Sequence, residues 1–287
     1  MRRVASIRGF VLMCAVSGLG LGQTLPPTYI NQTKFNSGQD VVPSFDGWMR
    51  NPDGTFTMVF GYMNRNYEEE PIIAAGPDNK VEPGPVDQGQ PTFFLPRRHA
   101  WLFMVKVPAD WGQKELVWTI TAHGRTEKAF ATLQMEQEII PRLMMTRGNL
   151  NPGLEDPNHP PSVSIAPVPS ASAGNAVTLT ANVADDGLPK PRAPKARTNV
   201  EPRKTQTNAA TTTRSGLSVS WYEYRGPAKV IFDSAGPVRV GTPGEPVTDG
   251  KAVTKARFPE AGTYVLRATA NDGALSTDTE VTITVTR

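Results

Sequence analysis

Side chains that could do chemistry are few in this 287-residue chain, and their spacing argues against the common catalytic sites. The histidines are His99, His123 and His159, and no pair of them has the spacing of zinc ligands on a helix or a hairpin. No G-x-S-x-G motif marks a serine nucleophile, and no Walker or dinucleotide-binding fingerprint occurs. We therefore expect no zinc, serine-hydrolase or nucleotide chemistry.

Residues 68–70 are three consecutive glutamates, the densest group of carboxylates in the chain. Glycosidases use a carboxylate pair across the scissile bond, but adjacent residues of a strand point to opposite faces. The run is therefore typical of a solvated strand end whose charge Arg65, Arg97 and Arg98 can neutralise. A hydrolase site that combines the run with Asp87 and Arg97 or Arg98 is kept as an alternative.

Residues 187–216 form a basic stretch with a single acidic residue, Glu201. Its basic residues are Lys190, Arg192, Lys195, Arg197, Arg203, Lys204 and Arg214. The near absence of apolar residues predicts disorder. One interpretation is a tolerated surface insertion; the other is a cationic loop that contacts acidic polymers, phosphate head groups or the outer-membrane surface. On the second interpretation the first six of these residues are candidate binding residues.

Tryptophans offer a different kind of surface, because carbohydrate-binding modules need an exposed aromatic platform. Trp101, Trp111 and Trp118 lie within a short stretch of the first half. Trp101 and Trp111 are the binding candidates, although we expect at least two of the three rings to belong to the core.

The distribution of charge argues against nucleic acid as a partner. The net charge is +3, and the three arginines that precede residue 10 account for all of it. Residues 187–216 hold a further +6, which leaves about −6 on the remainder of the chain. A mildly acidic body lacks the basic footprint of a nucleic-acid-binding domain.

The first 22 residues predict a secretory signal peptide. Basic residues precede an apolar run at 10–21, and Gly20 and Gly22 offer a cleavage site before Gln23. Met13 precedes Cys14, the only cysteine, where a lipoprotein signal needs a small residue, so lipidation is not expected. The mature chain has no run long enough to span a membrane as a helix. We expect an exported protein that is periplasmic, on the cell surface or secreted.

The composition changes sharply along the mature chain. All nine methionines lie at or before Met145, and four of the five tryptophans lie in the same half. Residues 147–161 are rich in Pro, Asn and Gly, which predicts a linker. We therefore expect an N-terminal domain of unassigned function over 23–146 and a second domain over 162–287.

Alternating apolar residues predict short strands in both halves. In the first half the predicted strands are 55–62, 101–107, 115–123 and 126–133, with a long loop at 76–91. Residues 134–145 fit either a short helix or an extended tail. In the second half the predicted strands are 162–166, 176–184, 217–224, 228–232, 251–258, 262–270 and 279–286. Seven short strands in about 125 residues are typical of an immunoglobulin-like sandwich.

Three segments of the second half carry a family resemblance. Residues 158–163 (NHPPSV), 173–179 (AGNAVTL) and 261–273 (AGTYVLRATANDG) resemble bacterial polycystic-kidney-disease (PKD)-type and related immunoglobulin-like modules. The resemblance implies that Trp221 is the core tryptophan of the third strand and Tyr264 the aromatic residue of the sixth. The first half, with 60–70 and 89–98, is similar to exported bacterial proteins of unassigned function, which implies a non-enzymatic envelope role.

In such a sandwich Asp185, Asp186 and Asp272 share one tip with the basic insertion and the linker. Asp156 and Asn158 are further oxygen donors, and calcium takes six to eight oxygen ligands. The arrangement is similar to the inter-domain sites of cadherin-type modules, although their Asp-x-Asp spacing is absent and the nearby basic residues oppose a divalent cation. No cofactor is expected, with calcium at this tip as an alternative.

Together these patterns predict an all-β protein of two β-sandwich domains, the second immunoglobulin-like (PKD-like) with a long disordered basic insertion. The expected function is that of a non-catalytic exported module, binding or structural, that contacts an envelope protein or a glycan. The alternatives are a carbohydrate-binding accessory protein and a hydrolase with a carboxylate site in the N-terminal domain. Because sandwiches of this type host many functions, the step from fold to function is an analogy.

Overall fold

The computed structural model describes residues 34–148, 157–168, 170–191, 216–234 and 236–287, which belong to one compact unit. The described chain is almost entirely β, which confirms the predicted fold class. Several predicted features lie outside the described residues: the signal peptide, Asp156, Arg192, Lys195, Arg197, Arg203 and Lys204. Within the described ranges, no helix has the length and apolar character needed to cross a membrane.

The described part of the first half contains six strands in two three-stranded antiparallel sheets. They are β1 (Val41–Arg50), β2 (Phe56–Asn64), β3 (Asn79–Glu82), β4 (Arg97–Val107), β5 (Leu116–Ala122) and β6 (Arg125–Ala131). One sheet has the order β1-β2-β4 and the other β3-β5-β6. The rings of Phe60, Phe103 and Trp118 meet between the sheets, with centroids 5.5–5.9 Å apart. This aromatic core fits the Met- and Trp-rich composition of the half.

Two of these strands correct the prediction. β1 has no predicted counterpart, and β3 lies inside 76–91, which the composition predicts to be a loop. β3 pairs with β5, and the buried Asn79 accepts a hydrogen bond from Trp118 Nε1 at 2.9 Å. Residues 134–145 contain a 3₁₀ turn (Met135–Gln137) and a short helix, α1 (Pro141–Met145).

The described part of the second half contains nine strands in two sheets. They are β7 (Ser162–Ile165), β8 (Ala171–Ser172), β9 (Ala176–Asp185), β10 (Ser218–Arg225), β11 (Ile231–Phe232), β12 (Val238–Arg239), β13 (Val247–Arg257), β14 (Gly262–Asn271) and β15 (Ser276–Thr286). The sheet orders are β12-β10-β14-β15-β8 and β11-β13-β9-β7. Each of the seven predicted strands overlaps one of these, although the predicted strand at 228–232 is reduced to β11.

The second half has the topology of an immunoglobulin-like sandwich. Strands β7, β9, β13 and β11 occupy the A, B, E and D positions, and β10, β14 and β15 occupy C, F and G. The fully buried Tyr264 donates its hydroxyl hydrogen bond to Glu260 O at 2.9 Å, as a tyrosine corner does. Trp221 packs against both core clusters of the sandwich.

The outer face of the β10–β14 pair packs against the first half. Tyr224 belongs to the aromatic core of the first half, and its hydroxyl donates to Gly89 O at 2.8 Å. Arg267 is 7% exposed, donates to Leu102 O at 2.9 Å, and lies 4.1 Å above the Tyr224 ring. Residues of this one sheet therefore take part in both cores.

Candidate functional site

One end of the second sandwich gathers carboxylates, and we call it the acidic tip, comprising Asn158, His159, Asp185, Asp186 and Asp272. Asp185 is the last residue of β9, and Asp272 directly follows β14. In the sandwich topology these two strand ends lie side by side. Asp186 accepts hydrogen bonds from the backbone N–H of His159 at 3.0 Å and pairs with its ring at 3.2 Å, which ties the approach to β7 to this end.

The acidic tip contains oxygen atoms whose hydrogen bonding is incomplete. Asp272 is 1% exposed, and its Oδ1 accepts from the N–H groups of Ala274 and Leu275 at 2.6 Å. Three buried oxygens have no hydrogen-bond partner: Asp272 Oδ2, Asp185 Oδ1 and Asn158 Oδ1. Buried polar atoms are almost always paired, so three unpaired oxygens at one tip call for a physical explanation.

Burial and mutual repulsion determine the protonation of the tip. Burial raises the pKa of Asp185 to about 6, and the charges of Asp272 and Asp186 add to the shift. Burial likewise raises the pKa of Asp272. Burial opposes ionisation of Asp186 as well, but hydrogen bonds from His159 and Leu188 hold its pKa below the usual value. The tip therefore holds two carboxyls that resist ionisation beside one that is readily ionised.

The donor set at the tip is made of hard oxygens. Among the residues that the structure describes, no group of three or more His, Cys, Asp or Glu side chains is placed to hold a metal ion. The unpaired donors are two carboxylates and one amide, the ligand types that calcium accepts.

Only one of the predicted basic binding residues lies within the described chain. Lys190 extends its ammonium group to Gly244 O and donates a hydrogen bond there. This contact ties the start of the insertion to the turn between β12 and β13.

The residues of the hydrolase alternative do not converge on one site. Glu70 pairs with Lys229 at 2.5 Å, and Asp87 pairs with Arg225 at 2.6 Å. Each of these ion pairs joins a carboxylate of the first half to a positively charged side chain of the second half. The other partners are Glu69 with His123, Arg98 with Asp46, and Arg97 with the ring of Tyr67.

In the described part of the first half, Trp101 and Trp111 do not form the predicted aromatic platform. Trp111 is 7% exposed and donates its indole N–H to Lys114 O at 2.8 Å, and Trp118 is fully buried. Trp101 is half-buried, its backbone N–H donates to Asp46 Oδ2 at 2.7 Å, and Gly148 packs against its ring. These rings support the fold and offer no paired surface for a sugar.

Comparisons with known proteins give no family assignment. No family model matches the chain, and no curated protein matches it. Among solved structures, a conjugative transposon lipoprotein from Bacteroides eggerthii is similar at 12% identity, with a TM-score of 0.27, over 44% of this chain and 97% of its own. Domains 4 and 5 of the S-layer protein SbsC are similar at 10% identity, with a TM-score of 0.22, over 87% of this chain and 98% of theirs.

Proposed function

We propose that this chain is an exported, non-catalytic module of the bacterial envelope that binds a protein or a glycan. The signal-like first 22 residues support export, and a mature chain without cysteine relies on packing for its stability. The second sandwich is an immunoglobulin-like scaffold, an architecture that presents binding loops at its two ends.

The observation that carries this proposal is that charged side chains of the two halves form ion pairs with one another. The carboxylates of Glu70 and Asp87, which a hydrolase would use, instead pair with Lys229 and Arg225 across the junction. Side chains committed to these ion pairs join the two sandwiches and do not form a shared carboxylate site. A body of two joined sandwiches, with connecting loops at the ends of its strands, is suited to binding.

A pull-down from an envelope extract tests the proposal. The bait is the mature chain 23–287, and the matched control lacks 188–215, most of the basic stretch. We expect the full chain to capture a partner that the deleted chain loses, with retention that falls as salt is raised. Identical captures from both baits would assign binding to another surface, and no capture from either would contradict the proposal.

We infer calcium binding at the acidic tip as a second candidate function. The specific observation is the set of three buried, unpaired oxygens on Asn158, Asp185 and Asp272. A bound divalent cation would pair these atoms and favour the ionised form of Asp185, whose pKa is raised by burial and, to a smaller extent, by the charges of Asp272 and Asp186. The ion would then fasten the approach to β7 onto the end of the sandwich.

Thermal unfolding with and without calcium tests this second candidate. We expect millimolar calcium to raise the unfolding midpoint of the mature chain, because a ligand that binds only the folded state stabilises it. Asp185→Asn should abolish the shift. Asp53→Asn, which alters an exposed carboxylate paired with Lys106, should leave it intact. Equal calcium shifts in both variants would contradict a site at the tip.

A further inference from the structure

One end of the first sandwich gathers basic side chains, and we call this group the arginine cluster, comprising Arg65, Arg97 and Arg125. Arg65 directly follows β2, Arg97 begins β4 and Arg125 begins β6. Asn64 of β2 pairs with Arg97, and the Arg65 N–H donates to Asp40 O at 3.1 Å. The ends of several strands therefore bring together three arginines that are far apart in the sequence.

Two arginines of the cluster share one buried carboxylate. Asp40 is 1% exposed, and Arg65 Nη1 donates to its Oδ2 at 3.0 Å, while Arg125 Nη1 lies 3.7 Å from its Oδ1. The side chains of Arg65 and Arg125 are 52% and 62% exposed. One carboxylate does not neutralise two guanidinium groups, and each group has five N–H donors. Both side chains therefore present unused donors to solvent, where a ligand can reach them.

The third arginine pairs with no carboxylate in the part of the chain that the structure describes. Arg97 is half-buried, and its Nη1 donates to Arg65 O at 3.1 Å. Its Cζ lies 4.1 Å from the centroid of the Tyr67 ring, and the ammonium of the exposed Lys34 lies 5.2 Å from the same centroid. The ring holds both cations by cation–π contact, which positions their charge without cancelling it.

The backbone of Arg97 is strained. Its φ is +72°, in the left-handed region that residues other than Gly rarely adopt. Such conformations cost free energy, persist where the surrounding contacts fix them, and cluster at sites that bind ligands. The contacts with Tyr67 and Arg65 hold this side chain in place, which lowers the entropy that a ligand must overcome on binding.

Acidic side chains near the cluster restrict the charge of its ligand. Glu69 accepts from the Gly38 N–H at 2.6 Å and lies 2.9 Å from His123 Nε2, and Glu68 is exposed. With Asp40, three carboxylates stand against four cations, the three arginines and a lysine. This small positive excess favours a monoanion over a dianionic phosphate. A carboxylate also matches the planar fork of a guanidinium group.

An exposed aromatic ring lies beside the cluster. Phe35 is 52% exposed, and its carbonyl accepts from the Tyr67 N–H at 3.0 Å, which places the two residues side by side. We propose that the arginine cluster binds the carboxylate of a uronic acid residue in an envelope glycan, with Arg97 as the main donor and Phe35 against the sugar ring. This inference rests on the proposed binding function and names the class of ligand.

Isothermal titration of the mature chain 23–287 at low ionic strength tests the inference. The probes are tetragalacturonate, neutral maltotetraose and glucose 6-phosphate. We expect tetragalacturonate to bind more tightly than the other two and to be weakened by salt. Arg97→Gln should weaken this binding about tenfold, and Arg97→Lys, which keeps the charge but loses the fork, should recover part of the loss. Arg257→Gln alters an exposed arginine of β13 and is the control that should leave the affinity unchanged.

A second cluster variant keeps the test decisive if Arg97→Gln fails to fold. Arg125→Gln alters a more exposed side chain and should also weaken binding of tetragalacturonate, with the fold checked by near-ultraviolet circular dichroism. Equal affinity in the wild type and both cluster variants, equal or tighter binding of maltotetraose or glucose 6-phosphate, or no heat with tetragalacturonate would overturn the inference. In each of these cases the pull-down can still capture a protein, which would leave the proposed function standing.

Discussion

At the scale of single residues, Glu223 shows how a buried acid couples stability to pH. It lies on the core-facing side of β10, and burial raises the pKa of its carboxyl to about 7, with the charge of Glu70 adding to the shift. In the unfolded chain the carboxyl ionises near 4.5. Between these values the folded state retains a proton that the unfolded state has released, so stability falls as pH rises through this window.

Replacing Glu223 with Gln should remove this part of the pH dependence. We expect Glu223→Gln to match the wild type near pH 4.5, where the carboxyl is largely protonated, and to exceed it in unfolding free energy at pH 8. Denaturant unfolding at the two pH values measures the difference. Glu82→Gln, which alters an exposed carboxylate paired with Lys80, is the control and should follow the wild-type profile. Parallel profiles for Glu223→Gln and the wild type would contradict this account.

At the scale of elements, the pair β10–β14 joins the two halves through Arg267. Its guanidinium donates to Leu102 O, lies over the Tyr224 ring, and pairs with Glu280 through Nε at 2.9 Å. A planar group with several donors can make these contacts at once, whereas an ammonium cannot. The position is therefore specific for arginine, although it lies on the outer face of its sheet.

Arg267→Leu should destabilise the whole chain by about 2–4 kcal/mol, because it leaves Leu102 O and Glu280 without their charged donor. Arg267→Lys should recover only part of the loss. Chemical unfolding monitored by tryptophan fluorescence measures both variants. Lys106→Ala removes an exposed ion pair with Asp53 and should leave the midpoint unchanged. A loss no larger for Arg267→Leu than for Lys106→Ala would refute the proposed role.

Strand packing also makes a prediction for Gly61 of β2. A Cβ at this position would lie 2.4 Å from His99 O of the facing strand β4 and 2.3 Å from Asp46 Oδ2. We expect Gly61→Ala to cost about 1–3 kcal/mol by overpacking. Gly236→Ala is the matched control, because a Cβ there meets nothing within 4 Å. Thermal unfolding of the two variants measures the difference in stability. Equal midpoints would show that the sheet accommodates the added Cβ without a loss of stability.

The strands that could be predicted from the sequence are those in which apolar and polar residues alternate regularly. The strands of the second sandwich follow an inward–outward pattern, and the resemblance-based places of Trp221 and Tyr264 agree with their packing. β1 was not predicted because Pro43 and a bulge between Phe45 and Gly47 interrupt the alternation of apolar and polar residues. β3 was not predicted because it is short and is surrounded by Gly and Pro. Its pairing with β5 is a long-range contact, which a local sequence pattern does not reveal.

Candidate site residues could likewise be predicted only where the topology of one sandwich brings them together. Asp185 and Asp272 could be placed at one tip because the sandwich topology brings the ends of their strands together. The approach of Glu70 to Glu223 could not be foreseen, because the two residues belong to different halves of the chain. A glutamate at a core-facing position of β10, next to Trp221, was the available signal.

At the scale of the whole molecule, the contacts between the halves are of the kind found inside a single fold. Tyr224 is 4% exposed and belongs to the core of the first half, although it lies on a strand of the second. Ser276 Oγ donates to Met145 O at 3.2 Å and accepts from Arg147 Nε at 3.1 Å, which adds a contact beside the predicted linker. Docking of the halves thus depends on packed side chains as well as on the chain that connects them.

Cutting the chain in the predicted linker should therefore leave the two halves associated. A protease site introduced within residues 151–156 allows cleavage of the folded protein, and we expect the fragments to elute together in gel filtration. Adding Tyr224→Ala opens a cavity in the shared core and removes the hydrogen bond to Gly89, so the cleaved variant should separate at lower concentrations. Thr263→Ala, an exposed change on the neighbouring strand β14, is the control and should behave as the unmutated cleaved protein. Immediate separation of the unmutated fragments would show that the linker alone holds the sandwiches together.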